Sequence, residues 1–208
     1  MSLRYALLAI LRVGPLSGYD LAKQFAQSVG HVWHAPDSQI YPELRKMEAD
    51  GLVEGEDQAR GERGRRRIYH VTEAGDHAFL DWMASPIDYQ RVRDPAHLRA
   101  AYLESASPDD ARAFLRDHRA QWSSELEQWE GELVRIETLA NPMLQRRLAV
   151  TADEDRERTI AFKHFAYEGL VARARAEIDW ADAGLALLDR LEAGRVSDRS
   201  GDASAAAR

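Results

Sequence analysis

The segment that most restricts the fold of this chain spans residues 38–71, SQIYPELRKMEADGLVEGEDQARGERGRRRIYHV. Its first part has apolar side chains at helical spacing, and two short runs of alternating apolar and polar residues follow, on either side of an arginine-rich turn. A helix followed by a basic two-stranded ribbon is the arrangement that a winged helix-turn-helix presents to DNA. The helix enters the major groove, and the ribbon reaches the neighbouring backbone or minor groove. The segment therefore predicts a winged helix-turn-helix.

The predicted recognition helix, residues 38–50, has one apolar face and one polar face. At a helical spacing of about 100° per residue, Ile40, Leu44 and Met47 lie together, which predicts that this side is buried. The side chains that we predict to contact DNA from the opposite face are those of Ser38, Gln39, Tyr41, Arg45 and Lys46. A guanidinium such as that of Arg45 fits the edge of a guanine, whereas hydroxyls suit phosphates, which position a protein without specifying the sequence.

The predicted wing consists of strands at 52–56 and 67–71 with a ten-residue turn between them. Five arginines and one glutamate fall between Arg60 and Arg67, and we predict that Arg63, Arg65 and Arg66 contact the DNA backbone or minor groove. The net charge of −7 argues against a generally basic nucleic-acid binder. Because attraction to phosphates is screened within about 8–10 Å, the local cluster matters more than the sum.

Amphipathic segments on both sides of this region complete the first domain. Residues 3–13 and 18–29 have the apolar pattern of helices, with Ser17 as the N-cap of the second. Thr72 is the predicted N-cap of a further helix that ends before Pro86. We therefore assign residues 1–85 to a winged helix-turn-helix DNA-binding domain and residues 86–95 to a linker.

From residue 96 the pattern changes to long helices with a seven-residue repeat. The repeats comprise Leu115, Trp122, Trp129 and Ile136, with Leu126, Leu133 and Ala140 four residues on, and then Tyr167, Ala174, Ala181 and Leu188, interleaved with Val171, Ile178 and Leu185. Such repeats predict helices that pair along a seam. Residues 96–193 are the predicted dimerisation domain, and the polar tail 194–208 is predicted to be disordered. The predicted fold is thus mainly α with a small β-hairpin.

The aromatic residues of the helical half allow two interpretations. Trp122 and Trp129 lie on the repeat, so they belong either to a dimer seam or intrachain core, or to the wall of an effector pocket. Tyr167 on the last helix is a candidate of the same kind. Trp33, beside the recognition helix, is predicted to pack between domains and is the fourth candidate.

Other classes of function find no support in the sequence. The chain has no cysteine, which excludes disulfides, thiolate metal sites and cysteine nucleophiles. His31 and His34 lack a matching set of ligands, so neither a metal nor a cofactor is expected. Since there is no Gly-rich phosphate loop and no Ser/His/Asp order, no enzymatic activity is expected. No apolar run is long enough to cross a bilayer, which predicts a cytoplasmic protein without a membrane partner.

Three segments together carry a resemblance to a known family: YALLAILRVGPLSGYDLAKQF, SQIYPELRKMEADGLVEGE and GRRRIYHVTEAGDHAFLDWM. Their order and spacing resemble those of the PadR family of transcriptional regulators, over about residues 3–83. The resemblance implies an N-terminal winged helix and a C-terminal helical dimerisation domain of the long-tailed branch. It also implies a homodimeric repressor that binds an inverted-repeat operator of double-stranded DNA and is released by a small aromatic or hydrophobic effector. The alternative is a scaffold whose winged helix docks a protein partner.

Overall fold

The computed structural model describes residues 2–28, 35–60, 64–87, 89 and 93–205, with the backbone alone at residues 2, 28, 37, 60, 64, 65 and 195–205. In chain order, the elements are α1 (Ser2–Leu11), β1 (Leu16–Ser17), α2 (Gly18–Ser28), α3 (Asp37–Ala49), β2 (Val53–Arg60), β3 (Gly64–Val71), α4 (Glu73–Ala84), α5 (Pro95–Ala100), a short 3₁₀ helix (Leu103–Ser105), α6 (Pro108–Glu137), α7 (Pro142–Ala149) and α8 (Asp153–Ala205). They form two units. The first comprises Met1–Tyr89 with Gln145–Thr151, and the second comprises Gln90–Leu144 with Ala152–Arg208.

The first unit is a winged helix built on three packed helices and a small sheet. Side chains of α1, α2 and α3 meet in its core, where the largest fully buried ones are Leu7, Leu8, Leu11, Leu21, Phe25, Ile40, Leu44 and Met47. The antiparallel sheet has the order β1-β3-β2, in which Leu16 pairs with Tyr69. The predicted class, mainly α with a hairpin, is confirmed. The two-residue strand β1 was not predicted, because so short a segment has no alternation to detect.

The ribbon of the wing is longer than the sequence predicts. Instead of ending at residue 56 and resuming at 67, the strands continue to Arg60 and resume at Gly64. Asp57 lies opposite Arg67, and its carboxylate accepts a hydrogen bond of 3.1 Å from the Arg67 guanidinium. Opposite charges facing each other across a ladder stabilise the pairing. Arg65 and Arg66 therefore lie on strand β3 and not in the predicted turn.

Gly75 permits a close approach between the start of α4 and the loop before β2. Thr72 caps α4, since its hydroxyl oxygen accepts a hydrogen bond of 3.1 Å from the Gly75 amide. The same hydroxyl donates to the Gly51 carbonyl at 2.7 Å. A Cβ at position 75 would lie 2.1 Å from the Leu52 carbonyl oxygen, which is far inside van der Waals contact. The backbone at this junction therefore needs glycine.

We expect Gly75→Ala to lower the free energy of unfolding by about 1–3 kcal/mol, the usual cost of overpacking a well-packed site. The clash is with backbone, which cannot rotate away. The matched control is Gly131→Ala in α6, where the nearest atom to a new Cβ is a flexible Arg135 nitrogen at 3.9 Å. That change should instead stabilise the protein by about 0.5–1 kcal/mol. Urea denaturation followed by circular dichroism measures both, and equal shifts for the two variants would contradict this account of Gly75.

In the second unit α6 and α8 run antiparallel along each other. Ion pairs join them at successive levels: Arg112–Asp189, Arg119–Asp182, Glu130–Arg175 and Glu137–His164. The residue numbers rise along α6 as they fall along α8, which fixes the antiparallel order. The side chains buried between them include Ala111, Leu115, Trp129, Ile136, Tyr167, Val171, Ala174 and Ala181. The predicted repeat therefore marks a seam within one chain.

The α6 side of this seam differs from the predicted repeat in one respect. Glu132, three residues after Trp129, is buried, and His118, three residues after Leu115, is half-buried. Leu126 and Leu133 are only half-buried. His118 is held by Glu177 at 3.1 Å, and Glu132 by Arg135 at 2.7 Å. Polar groups in a seam need hydrogen-bond partners. The partner of His118 lies on α8 and the Asn141 partner of Glu132 lies beyond the end of α6, so a hydrophobic pattern within α6 does not reveal these pairings.

Two stretches of α-helix lie where the sequence predicts none. Asn141 caps α7, accepting a hydrogen bond of 2.8 Å from the Leu144 amide and donating one of 2.9 Å to the buried Glu132 carboxylate. The backbone of α8 is helical as far as Ala205, although residues 194–208 are predicted to be disordered. Lengthening an existing helix adds one hydrogen bond per residue without a new nucleation step, which accounts for this difference.

Candidate nucleic-acid interface

The face of helix α3 that is exposed to solvent is the one that the sequence predicts. Ile40, Leu44 and Met47 are buried in the core of the winged helix. The predicted DNA-contacting residues Ser38, Gln39, Tyr41, Arg45 and Lys46 are all exposed. The physical cause is the aliphatic triad, because burying it against α1 and α2 forces the polar side outward.

Glu43 and Glu48 of α3, and Asp50 directly after the helix, are bound to other parts of the winged helix. Arg4 donates to Glu43 at 2.9 Å and is 2.8 Å from Asp50, and these contacts raise the pKa of Arg4. Glu48 accepts from the Gly55 amide at 3.1 Å and pairs with Arg67. Among the residues that the structure describes, Arg45 and Lys46 have no acidic partner. The exposed face of α3 is therefore cationic, although the helix contains several carboxylates.

A hollow of about 300 Å³ lies between the start of α2, α3 and strand β3. The Tyr41 ring forms one side and rests against Gly18, where a Cβ would lie 2.9 Å from the ring. Arg66 forms another side, 3.7 Å from Asp20. A weak pair at that distance leaves most of the guanidinium free for a stronger anionic partner. Tyr41 and Arg66 are thus brought together on one surface.

Tyr19 belongs to this surface and was missed by the sequence analysis. Its side chain lines the hollow and is 70% exposed, whereas Leu21 is fully buried. The pattern of α2 allowed either residue to take the buried position beside Phe25. An aromatic ring with a hydroxyl at its tip is suited to an exposed position near a phosphate. The signal that could have identified Tyr19 is that leucine is preferred over tyrosine in a core.

The other predicted wing residues differ in how far the structure describes them. Arg63 lies outside the described residues, and only the backbone of Arg65 is described, in β3. Arg67 is bound by Glu48 and Asp57, and these hydrogen bonds raise the pKa of its guanidinium. Arg67 therefore links the ribbon to α3. Among the wing arginines predicted to contact DNA, Arg66 is the one whose side chain is described, and it lies on the candidate surface.

The aromatic candidates of the second unit lie in the seam between α6 and α8. Trp129 is 5% exposed, and its ring centre is 6.3 Å from that of Trp122 in an edge-on arrangement. Tyr167 is 3% exposed, and burial together with the charge of Glu132 raises its pKa to about 12. Their position is that of intrachain core residues. Trp33 lies outside the described residues.

Two features of other functional classes are absent from the described part of the chain. No group of three or more His, Asp or Glu side chains there is arranged to bind a metal ion. No described helix is both long and apolar enough to span a membrane.

Two family models match this chain. The first, described as the transcriptional regulator PadR-like family, matches residues 7–81. The second, described as virulence activator alpha C-term, matches residues 92–189. Together the two matches cover most of each unit.

The chain is also similar to other transcriptional regulators and to solved structures. It is 32% identical over 143 residues to the negative transcriptional regulator PadR of Bacillus subtilis, covering 68% of this chain and 78% of that one. It is 33% identical over 116 residues to the probable transcriptional regulator Rv1176c of Mycobacterium tuberculosis, covering 56% of this chain and 59% of that one. The structure of Bacillus subtilis PadR in complex with operator DNA matches with a TM-score of 0.71, at 25% identity, over 90% of this chain and 99% of that one. The Vibrio cholerae virulence activator AphA matches with a TM-score of 0.55, at 28% identity, over 91% and 99%.

Proposed function

Because the chain belongs to the PadR-like family of transcriptional regulators, we propose that it is a homodimeric repressor that binds an inverted-repeat operator and is released by a small effector. In this proposal residues 1–85 bind DNA, residues 86–95 link the domains, and residues 96–193 dimerise. Two recognition helices about 34–36 Å apart would then enter successive major grooves on one side of the duplex.

The observation that carries the proposal is the cationic exposed face of α3, continuous with the hollow that holds Tyr41 and Arg66. Arg45 is free to form a bidentate pair with a guanine edge. Gln39 suits an adenine edge in the same groove. Ser38, Tyr41, Lys46 and the wing cation Arg66 would bind phosphates and set the register of the helix. Bacillus subtilis PadR, whose fold this chain shares, has been solved with operator DNA.

The proposed dimer contact is a second apolar stripe on α8, made of exposed side chains outside the α6 seam. It consists of exposed residues at seven-residue spacing and their neighbours: Phe162, Phe165, Gly169, Ala172, Ala176, Ala183, Leu187 and Leu191. We call this set the outer stripe. Phe165 is 71% exposed, and such contiguous apolar surface favours a protein partner over water. Small residues in its middle would let a second α8 approach closely, as in a helix pair.

The proposed effector is a small aromatic or hydrophobic molecule. Bacillus subtilis PadR has been solved with p-coumaric acid, a small aromatic acid. For this chain, release would require a difference in effector affinity between two geometries of the dimer. The effector would bind the geometry that fits the operator more weakly than it binds the other geometry.

The test of the proposal is the salt dependence of operator binding. A plot of log affinity against log salt should fall linearly for wild-type protein on a duplex selected from random DNA by the protein itself. In a dimer Arg66→Ala removes one phosphate contact from each protomer, so the slope should be shallower by about two, at about 0.9 for each contact. Fluorescence anisotropy between 50 and 200 mM salt is a suitable measurement, with these concentrations chosen to span roughly physiological conditions.

Arg116→Ala is the matched control, since it removes the same charge from an exposed position of α6. It should leave the slope unchanged. If selection recovers no DNA at the lowest salt, the repressor proposal fails. The alternative, a scaffold whose winged helix docks a protein partner, is then favoured. If Arg66→Ala and Arg116→Ala change the slope equally, the wing does not bind phosphate.

A further inference from the structure

The second unit contains an apolar cavity of about 660 Å³ that none of the predicted site residues lines. Leu103 and Pro108 form one wall, Leu115 of α6 forms the floor, and Trp180 and Leu187 of α8 form the other wall. We call it the Trp180 cavity. Its size and lining match those of small-molecule sites, which are typically about 300–1,000 Å³ and mainly apolar with a few polar groups.

The floor of the cavity is closed by tight packing. A Cβ at Gly184 would lie 3.0 Å from both terminal carbons of Leu115, so the absence of a side chain there brings α8 against α6. Leu115 itself is buried. The cavity is therefore bounded below by this contact between α6 and α8.

The aromatic wall is held in place from outside the cavity. The His97 ring stacks on Trp180, with 4.4 Å between ring centres, and the His118 ring meets it edge-on at 5.0 Å. Each histidine is in turn anchored by a carboxylate, His97 by Asp94 at 2.8 Å and His118 by Glu177 at 3.1 Å. An aromatic surface fixed in this way loses little conformational entropy when a ligand ring packs on it.

The charged residues at the rim limit the ligand further. They are Glu104, Arg190 and Glu192, and Glu192 is already bound by Arg112 at 2.7 Å. Of the rim residues, this leaves one acidic group, Glu104, and one basic group, Arg190. Their opposite charges give no net electrostatic attraction for a strongly charged ligand. The lining therefore fits a neutral, mainly apolar aromatic molecule.

The size of the cavity also favours a small ligand over a segment of a partner protein. A stable protein interface needs about 800 Å² from each partner, which a site of this size does not supply.

We propose that the Trp180 cavity binds a small, neutral aromatic molecule. Binding itself does not depend on the proposed function. A regulatory consequence rests on that function: Ala183, Leu187 and Leu191 line the cavity and also belong to the outer stripe. A ligand there would contact the side chains proposed to join two copies, and so would bind different dimer geometries with different affinity.

The experiment is a titration of the purified full-length protein with N-phenyl-1-naphthylamine, a neutral aromatic probe whose emission rises in apolar surroundings. Wild-type protein should bind it saturably with one site per chain and with energy transfer from tryptophan. Ala183→Trp, which fills the cavity from the α8 wall, should weaken binding at least tenfold. Ala186→Trp is the matched control, because Ala186 is exposed three residues later on α8, does not line the cavity and is not part of the outer stripe. It should bind the probe like wild type.

Leu103→Trp fills the cavity from the opposite wall, off α8, and should weaken binding in the same way as Ala183→Trp. The proposal is overturned if wild type takes up the probe without saturation, or if all three variants bind it equally. It is also overturned if probe uptake falls as protein concentration rises in step with dimer formation, since a second copy would then occupy the cavity. Because no DNA is present, failure here is distinct from failure of operator binding.

Discussion

Replacing Arg45 by alanine is expected to raise the dissociation constant for the selected operator about thirtyfold or more. A bidentate contact between arginine and guanine contributes about 1–3 kcal/mol of discrimination, and a dimer loses it at both half-sites. The loss should be confined to one base pair per half-site. Operators altered at that pair should bind the variant and wild type with similar affinity, while operators altered elsewhere should still be discriminated. Anisotropy titrations against a panel of single-base operator variants measure this pattern.

Arg45→Lys is the informative control because it keeps the positive charge but loses the planar fork of donors. If Arg45 contacts a base, Arg45→Lys should lose preference at the same base pair as Arg45→Ala while retaining binding to unrelated DNA. If Arg45→Lys discriminates among the operators as wild type does, Arg45 is a phosphate contact. Uniform weakening of Arg45→Ala across the panel would lead to the same conclusion.

The double variant Phe165→Asp with Leu187→Asp is expected to be monomeric and to lose specific operator binding. Both side chains lie on the outer stripe and are exposed in the single chain, so charges there should leave the α6–α8 seam folded. In a dimer they would place unpaired carboxylates in an apolar contact, at a cost of several kcal/mol per group. A monomer that reaches a single half-site should bind at least a hundredfold more weakly than a dimer, since the second half-site benefits from high effective concentration.

Sedimentation velocity at micromolar protein and operator titration should be run on the same samples. The control is Ala113→Asp with Ala120→Asp, which adds the same charge to exposed positions on the outer side of α6. This control should remain dimeric and bind the operator. A dimer of unchanged stability in the Phe165/Leu187 variant would move the interface away from the outer stripe.

Local periodicity was enough to predict the architecture and the orientation of the recognition helix. Ile40, Leu44 and Met47 lie on one side of any helix that contains them, so the polar face follows without further information. The caps Ser17 and Thr72 were equally local: the Ser17 hydroxyl accepts a hydrogen bond of 3.1 Å from the Asp20 amide, as the sequence predicts. Such features depend on residues a few positions apart.

What the sequence did not predict depends on contacts between distant positions. The length of the wing ribbon follows from the Asp57–Arg67 pair, which exists only in one strand register. The polar seam positions His118 and Glu132 are acceptable because Glu177 and Asn141 lie opposite them. The Trp180 cavity combines a loop, α6 and α8, and no spacing within one segment reveals it.

The central claim, that the exposed face of α3 reads a DNA sequence, is tested most directly by one ratio. It is the dissociation constant of wild-type protein for a scrambled duplex divided by that for the selected operator of equal length, at one physiological salt concentration. The account predicts a ratio of about 10³ or more, the usual range for sequence-specific DNA-binding proteins. Equal affinity for the two duplexes would contradict it.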